Sequence, residues 1–401
     1  MRRRVLVVSS VPLAAPWNGA DKNLSRLLVR RDRNNDFVVQ TDLKEVWPDA
    51  RRVIAIRSRS ADEMPTAVQK LRAFAYLLRH TGAADLIHVV ASLYDPPRLT
   101  GTTVRAWSDL RRKPVLHTVP SVGDAPIRRA DFFGDATVVV SEYTRRLLVE
   151  SGVLNVFRIT PPLEAEDLRP RDPHSPEALR RELKLGDRAV LYPTHYGEKS
   201  GIPEVIQAFS RLRGDARMDD AVLVLALRAH AWQDAKAEEQ KTLSLAAKAK
   251  ILGRVRLLRE VTDMPALISS CAVTALVPDR LGGKMDLPLT ILESLALGRP
   301  VVVSDRPPIN EALLGGGYAV PYGDVPALGA AISRLLRDSQ LRRGLAEQGR
   351  VAALKACAPH AVIEQYQRIY EWMMAPDSNE TLRRGTPQRG PFRSRDLDGA
   401  S

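Results

Sequence analysis

The chain has 401 residues, 44% hydrophobic and 27% charged, the composition of an ordinary soluble globular protein. A single core stops growing near about 250–300 residues, so two domains with sizeable cores are expected. The formal charge of +13 suits an anionic partner (nucleic acid, a phosphorylated substrate or an anionic membrane surface) or reflects an Arg-rich background, while aromatics at 5% argue against a nucleic-acid binder built on stacking.

The charge leans to the front, with 27 Lys and Arg against 19 Asp and Glu in residues 1–170, but no dense basic run stands out. Cys271 and Cys357 lie far apart in apolar contexts, with neither metal nor redox spacing; a reduced cytosolic protein is the expectation.

The opening "MRRRVLVVSSVPLAA" imitates a signal peptide, yet "VLVVSS" is a β-branched run of strand length leading into a loop and helix, and the strand reading is preferred. Short apolar runs then alternate with amphipathic stretches, the signature of βα units and parallel sheets. In the first half the strands are "VLVVSS", "FVVQ", "VIAI", "LIHVV", "PVLHTV" and "ATVVVS", with helical patterns such as "NLSRLLVRR" and "PTAVQKLRAFAYLLRHT" between them. The Pro- and charge-rich "PPLEAEDLRPRDPHSPE" (161–177) reads as a linker. A second series follows: "AVLYPT", "AVLVLAL", "VRLLREV", "AVTALVP", "RPVVVSD" and "GYAVPY".

The expected architecture is α/β, with two doubly wound Rossmann-like domains: residues 1–165 on the acceptor side and residues 166–358 binding the donor. A helix over 359–375 returns towards the first domain, and the polar tail 376–401 is expected to be disordered. Nothing approaches the roughly 20 apolar residues that span a bilayer. Ligands of open α/β sheets bind beyond the carboxyl ends of the strands, so chemistry is expected in a cleft between two such sheets.

The stretch "KMDLPLTILESLALGRPVVVSD" (284–305) holds the most chemistry. Asp286 and Pro288 mark a helix start and Gly298 its end, before a buried strand. The free amides of Leu289 and Thr290 would offer a phosphate site. Glu293 lies about 1.5 turns further in. It either meets a hydroxyl donor such as a ribose diol or lies on the solvent side, and periodicity alone leaves both open.

This stretch resembles the signature of family 4 glycosyltransferases, retaining enzymes of the GT-B architecture, in which a Glu on this helix holds the ribose of a nucleotide-sugar donor. Other segments join it. "VTDMPALISSCAVTALVP" (261–278) resembles the segment that contacts the nucleobase, which implies backbone contacts around Glu260 and Val261. "EKSGIPEVIQAF" (198–209) is similar to the Lys-Gly loop, making Lys199 the implied ligand of the donor diphosphate. "PPINEALLGGGYAVPYGD" matches the pattern around Glu311, Gly323 and Asp324. In the front half "VLVVSSVPLAAPWNGADKNLSRLLV" resembles the first strand, loop and helix, with Gly19 allowing close backbone approach. "ADLIHVV" and "DATVVVSEYTRRLL" occupy the places of two further family strands. The resemblance covers about residues 4–375 and is more specific in the second domain.

Three positions depart from the pattern. The family's second Glu is Met285 here, with Asp286 the nearest carboxylate; the Arg that partners the loop Lys is replaced by Thr194 or His195, depending on the alignment; and Pro120 stands where a site His is usual, with His117 on the other face of its strand. The implied donor-binding residues are Gly19, Thr194, His195, Lys199, Glu260, Val261, Asp286, Leu289, Thr290 and Glu293. Lys199, Glu293 and Asp286 are the implied catalytic residues. Gly19, Asp21 and His88 lie on the acceptor side, although Asp21 also suits a helix start and His88 a satisfied core histidine.

The activity implied is transfer of a hexose-type sugar to a glycan, lipid-linked or small-molecule hydroxyl, with retention, no cofactor and no metal. The cation of Lys199 and the helix amides would meet leaving-group charge, and domain closure about the linker would exclude water. A cytoplasmic location, with peripheral contact at an anionic inner membrane face as an alternative, follows from the same resemblance and charge. The rival readings are an inactive GT-B binding protein and a sugar-nucleotide epimerase. A nicotinamide-dependent dehydrogenase is disfavoured because the first loop lacks closely spaced glycines.

Overall fold

The computed structural model describes residues 2–9, 20–41, 52–55, 75, 78–92, 98–123, 127–171, 175–229, 233–281 and 285–375. Gly19, the side chain of Asp21 and the tail 376–401 lie outside the described residues, and so do the expectations placed on them. The chain forms two compact units. The first takes Met1–Pro162, Gly282–Asp286 and Cys357–Ser401; the second takes Leu163–Leu281 and Leu287–Ala356.

The first unit is built on a seven-stranded sheet of β1 (Arg3–Ser9), β2 (Asn35–Thr41), β3 (Arg52–Ala55), β4 (Leu86–Val90), β5 (Val115–Val119), β6 (Ala136–Val139) and β7 (Val156–Arg158). The order is β3-β2-β1-β4-β5-β6-β7, parallel throughout. Helices α1 (Ala20–Arg31), α2 (Arg98–Arg111) and α3 (Glu142–Glu150) connect the strands. Both faces of a parallel sheet are covered, which is why "LIHVV" and "VLHTV" are buried at every position instead of alternating. Strand β7 was not visible in the sequence pattern: three residues at a sheet edge carry too short an apolar run.

The second unit repeats the plan with helices α4 (Pro176–Glu182), α5 (Ile202–Ser210), α6 (Ala235–Lys248), α7 (Met264–Ser270), α8 (Leu289–Ala296), α9 (Val325–Arg337) and α10 (Ser339–Ala356). Its six parallel strands are β8 (Ala189–His195), β9 (Val222–Arg228), β10 (Val255–Leu258), β11 (Val273–Leu276), β12 (Val301–Ser304) and β13 (Gly317–Val320). The order is β10-β9-β8-β11-β12-β13, so the switch point falls between β8 and β11. All six strands coincide with the apolar runs of the sequence. The segment expected as a linker is ordered at its front and packs on this unit. Glu164 is buried, and the amide of Arg171 donates to Asp263 Oδ2 at the start of α7.

The last helix, α11 (Pro359–Met374), belongs to the first unit. Val362, Tyr366, Ile369, Tyr370 and Met373 recur at helical spacing and enter the core with Leu27, Leu28 and Leu86. Each fully buried apolar side chain of this size contributes about 1.5–3 kcal/mol. Polar contacts fix the register: Gln367 Nε2 donates to Asp32 Oδ1 at 2.7 Å, and Tyr370 Oη lies 2.8 Å from His88 Nδ1.

That contact corrects the expectation for His88. The side chain has 0% exposure, and its Nε2 lies 2.8 Å from Thr118 Oγ1, which in turn lies 3.2 Å from Tyr366 Oη. Both ring nitrogens are therefore committed to the core, and an acceptor has no polar atom of His88 to meet. His117, the neighbour of Thr118, points to the opposite face and stacks on Phe133 with ring centroids 4.3 Å apart.

Burial, with the charge of His117 adding, holds His88 down at about 3, and burial holds His117 at about 4. In the unfolded chain both protonate near the ordinary 6.5. The stability that the neutral rings contribute is therefore full above about pH 6.5 and is lost as pH falls below it, at up to about 1.4 kcal/mol per pH unit for each ring. Urea unfolding of the parent and of His88→Gln between about pH 7.5 and pH 4.5 tests this. The variant should show the shallower decline; parallel curves would remove His88 from the account.

Candidate functional site

The strands of the second unit run parallel, so their carboxyl ends share one edge of the sheet. Thr194 and His195 end β8, Arg228 ends β9, and Glu260 and Val261 follow β10 at this edge. Helix α8, which leads from β11 into β12, begins there too. The structure thus gathers Thr194, His195, Lys199, Glu260, Val261, Leu289 and Thr290 along one edge of one sheet.

The loop from β8 into α5 is shaped by Gly201, whose φ is 77°. A Cβ there would come within 2.3 Å of Tyr192 Oη and of the carbonyl oxygen of Val277. Tyr192 Oη donates to the carbonyl of Ser200 at 2.6 Å, drawing the loop against the sheet. The loop in turn leaves the Lys199 side chain exposed, while its carbonyl accepts the Asp279 amide at 3.0 Å. No side chain caps α5 at Gly201.

Helix α8 begins after Pro288 without a side-chain cap. Among the described residues the amides of Leu289 and Thr290 make no hydrogen bond, so they remain open to an anion. From Ile291 to Ala296 every residue of α8 is buried. The helix has no solvent side over that span, so Glu293 does not lie on one: its exposure is 5%.

Among the described residues the Glu293 carboxyl has no hydrogen bond and no ion pair, unlike its neighbour Ser294, which donates to Thr290 O and Thr274 Oγ1. Burial lifts the Glu293 carboxyl to about 7, and the nearby charge of Asp167 adds to the rise. A carboxylate in this position lacks donors, and a group bound in front of it would have to bring its own. Asp167 lies in the segment read as a linker, and sequence periodicity gave no signal that it would face α8.

Asp286 behaves in the opposite way. Its Oδ2 accepts from Ser141 Oγ at 2.8 Å and from Thr144 Oγ1 at 2.5 Å, and its amide donates to Pro120 O at 3.1 Å. Ser141 is also the N-cap of α3, accepting from the Thr144 amide. Asp286 is therefore bound into the first unit at a helix start. The expectation that it holds sugar hydroxyls meets a carboxylate oxygen already occupied by two protein hydroxyls.

Two further pairs at the edge were missed in the sequence. Arg228 Nε donates to His195 Nε2 at 3.1 Å. A guanidinium can only donate, so that nitrogen accepts and the His195 proton sits on Nδ1. Arg259 forks onto Glu239 at 2.5 and 3.0 Å beside Glu260. Only contacts across strands reveal these pairs; nothing in their local sequence marks them.

Each unit is a doubly wound parallel sheet of the Rossmann-like kind. Two such units in tandem form the GT-B fold. Residues 176–352, somewhat under half of the chain, match the family model described as Glycosyl transferases group 1.

Among curated proteins the chain is similar to a phosphatidyl-myo-inositol mannosyltransferase of Mycobacterium leprae, 29% identical over 30% of this chain and 32% of that protein. It is also similar to the putative glycosyltransferase EpsD of Bacillus subtilis, 25% identical over 54% of this chain and 55% of that one. The matches thus span between about a third and about half of those relatives. Among solved structures, Anabaena HepE in complex with UDP aligns with a TM-score of 0.72 at 14% identity, covering 92% of this chain and all of that one. Sucrose-phosphate synthase of Thermosynechococcus elongatus aligns at 0.71 with 20% identity, over 94% and 100%. Identities this low show the shared fold.

Because Gly201 combines a left-handed backbone with two contacts of 2.3 Å, Gly201→Ala should lower stability by about 2 kcal/mol or more. Urea unfolding of the variant checks it. A second outcome is expected for Glu293→Gln, which removes an ionisable group from a site without partners. Unfolded Glu ionises near 4.5 but folded Glu293 only near 7, so the folded parent loses stability as pH rises between these values. The melting temperature of the variant should exceed that of the parent, and by more at pH 8 than at pH 5. A lower melting temperature at both pH values would mean the carboxyl has partners.

Proposed function

We propose that the chain is a retaining glycosyltransferase that moves a hexose-type sugar from a nucleotide-diphosphate sugar to a hydroxyl acceptor without a metal ion. The observation that carries this reading is Glu293, a buried carboxyl without a protein donor, on a helix with an open amino end at a Rossmann-like carboxyl edge. The family match over 176–352 and the fold shared with a protein that binds UDP support it.

In this reading the ribose hydroxyls donate to the Glu293 carboxylate, and the backbone around Glu260 and Val261 meets the base. The diphosphate takes the amides of Leu289 and Thr290 and the cation of Lys199, with Nδ1–H of His195 and the hydroxyl of Thr194 as further donors at the same edge. As the bond from the anomeric carbon to the phosphate oxygen breaks, negative charge grows on the diphosphate, where these groups stabilise it. A new bond forms to the acceptor oxygen on the same face of the sugar, and the acceptor proton leaves with the diphosphate. Asp286 takes part only if a bound sugar displaces Ser141 or Thr144 from its carboxylate. The acceptor is a glycan, lipid-linked or small-molecule hydroxyl.

Calorimetry with UDP and GDP tests the donor side. Ribose hydroxyls bind the ionised carboxyl, so affinity should rise as pH increases from about 6 to about 8, through the raised value of Glu293. Glu293→Ala should weaken binding by about tenfold or more, the worth of hydrogen bonds to a charged group, and abolish that pH slope. Unchanged affinity would refute the ribose role. Lys199→Ala should lower turnover more than donor affinity; turnover of a nucleotide sugar at the parent rate would remove Lys199 from the leaving-group site. A parent that consumes no nucleotide sugar from a broad panel, with or without acceptor, would end the transferase reading.

A further inference from the structure

The loop that carries Lys199 is short, and its backbone is held from several sides within the second unit. The Ser200 amide donates to Gly197 O at 3.2 Å and the Ser200 hydroxyl accepts from the Ile202 amide at 3.5 Å, so the turn closes on itself. Two bonds then reach it from outside. The Asp279 amide donates to Lys199 O at 3.0 Å, and the next carbonyl, that of Ser200, accepts from the Tyr192 hydroxyl at 2.6 Å.

Tyr192, on β8, joins that loop to another strand. Its hydroxyl also accepts from the amide of Val277, the first residue after β11, at 3.3 Å. One oxygen thus gives its proton to the loop and a lone pair to the strand exit, which requires a group that is donor and acceptor at once. Burial pushes this phenol well above its ordinary range, so it keeps the proton. The ring is 0% exposed and belongs to the core with Val190, Ile202, Val205 and Val277. A phenylalanine ring would fill that core equally well, so the oxygen serves the two polar groups and not the packing.

With the carbonyls of Lys199 and Ser200 both tied to the exit of β11, the Lys199 backbone cannot drift without breaking one of these bonds. Asp279 extends the hold, its Oδ1 pairing with Arg306 Nη2 at 3.1 Å just beyond β12. Only side-chain torsions then separate the sheet edge from the ammonium. We propose that Tyr192 is a positioning residue for Lys199: its buried hydroxyl, shared between Ser200 and Val277, sets the loop so that the ammonium meets the diphosphate as its charge grows, a role that depends on the transferase reading.

The test sets Tyr192→Phe, which removes only the oxygen, beside Lys199→Ala and the double variant of the full chain. Tyr192→Phe should lower kcat between about tenfold and about a hundredfold for the nucleotide sugar that the parent consumes, with KM for that donor within about twofold. In the Lys199→Ala background the same change should lower kcat by less than about twofold, because no ammonium is left to position. A tyrosine that only supported the fold would lower both backgrounds alike, and losses that multiply in the double variant overturn the proposal.

Hydrogen exchange reads the hold without any reaction. In Tyr192→Phe the amides of Val277 and Asp279 should exchange about tenfold or more faster than in the parent, while those of β9 keep their rate. Unchanged rates at both amides overturn the proposal even where the parent turns over. Should Tyr192→Phe fail to fold, the parent alone decides: both amides exchange as slowly as β9, and exchange at the rate of exposed loop amides overturns the hold. A parent that consumes no nucleotide sugar ends the transferase reading instead. Calorimetry with inorganic pyrophosphate, which carries the charge of the departed group, then replaces turnover: Tyr192→Phe should bind it about tenfold more weakly, and equal binding, or none by the parent, overturns the proposal.

Discussion

Holding an ionisable carboxyl inside an otherwise apolar helix is the constraint on which the second unit turns. Helix α8 is packed on every side from Ile291 to Ala296, because it must bridge β11 and β12 beneath α10 while its amino end reaches the sheet edge. Rotating the helix to give Glu293 water would expose Ile291, Leu292 or Leu295, each worth about 1.5–3 kcal/mol of burial. The core therefore fixes the carboxyl where it is, and the uncapped first turn fixes the polarity of what lies in front of it. Packing thus holds the unsatisfied group in one orientation.

Much of this was legible in the chain, and the exceptions share a cause. The six strands of the second unit are continuous apolar runs with turn residues between them, so local pattern sufficed. The start of α8 at Pro288 and its end at Gly298 were readable for the same reason. The orientation of Glu293 was not, because periodicity carries information only when one helix face meets solvent, and α8 has none. His88 and Asp286 took roles that depend on partners 282 and 145 residues away in sequence, Tyr370 and Ser141. A strand-end histidine reads the same whether a tyrosine of α11 or a ligand satisfies it. The segment at 161–177 was read as a connector by composition, yet its front half contributes Asp167 to the surroundings of Glu293.

Buried charge appears in this protein in three energetic states. Asp286 is paired with hydroxyls at a helix start, where the dipole also favours it, and it holds structure together. Glu293 is a single unpaired acid whose proton affinity has risen to meet its surroundings. Arg299 is a cation that cannot relieve itself in this way, since a guanidinium does not deprotonate in proteins. An acid without donors can wait as the neutral form, whereas an arginine keeps its charge whatever surrounds it.

The return of α11 to the first unit has a consequence for the order in which the molecule is made. Tyr366 and Tyr370 complete the polar cluster around His88 and Thr118, and Ile369 and Met373 complete the core beside α1. Every part of the second unit, Leu163–Leu281 and Leu287–Ala356, is translated before those side chains exist. The unit whose chain is begun first therefore lacks part of its core until the last helix is made, and Leu24, Leu27 and Leu28 of α1 pack there without their α11 partners until then. The final helix is thus the piece that closes this core.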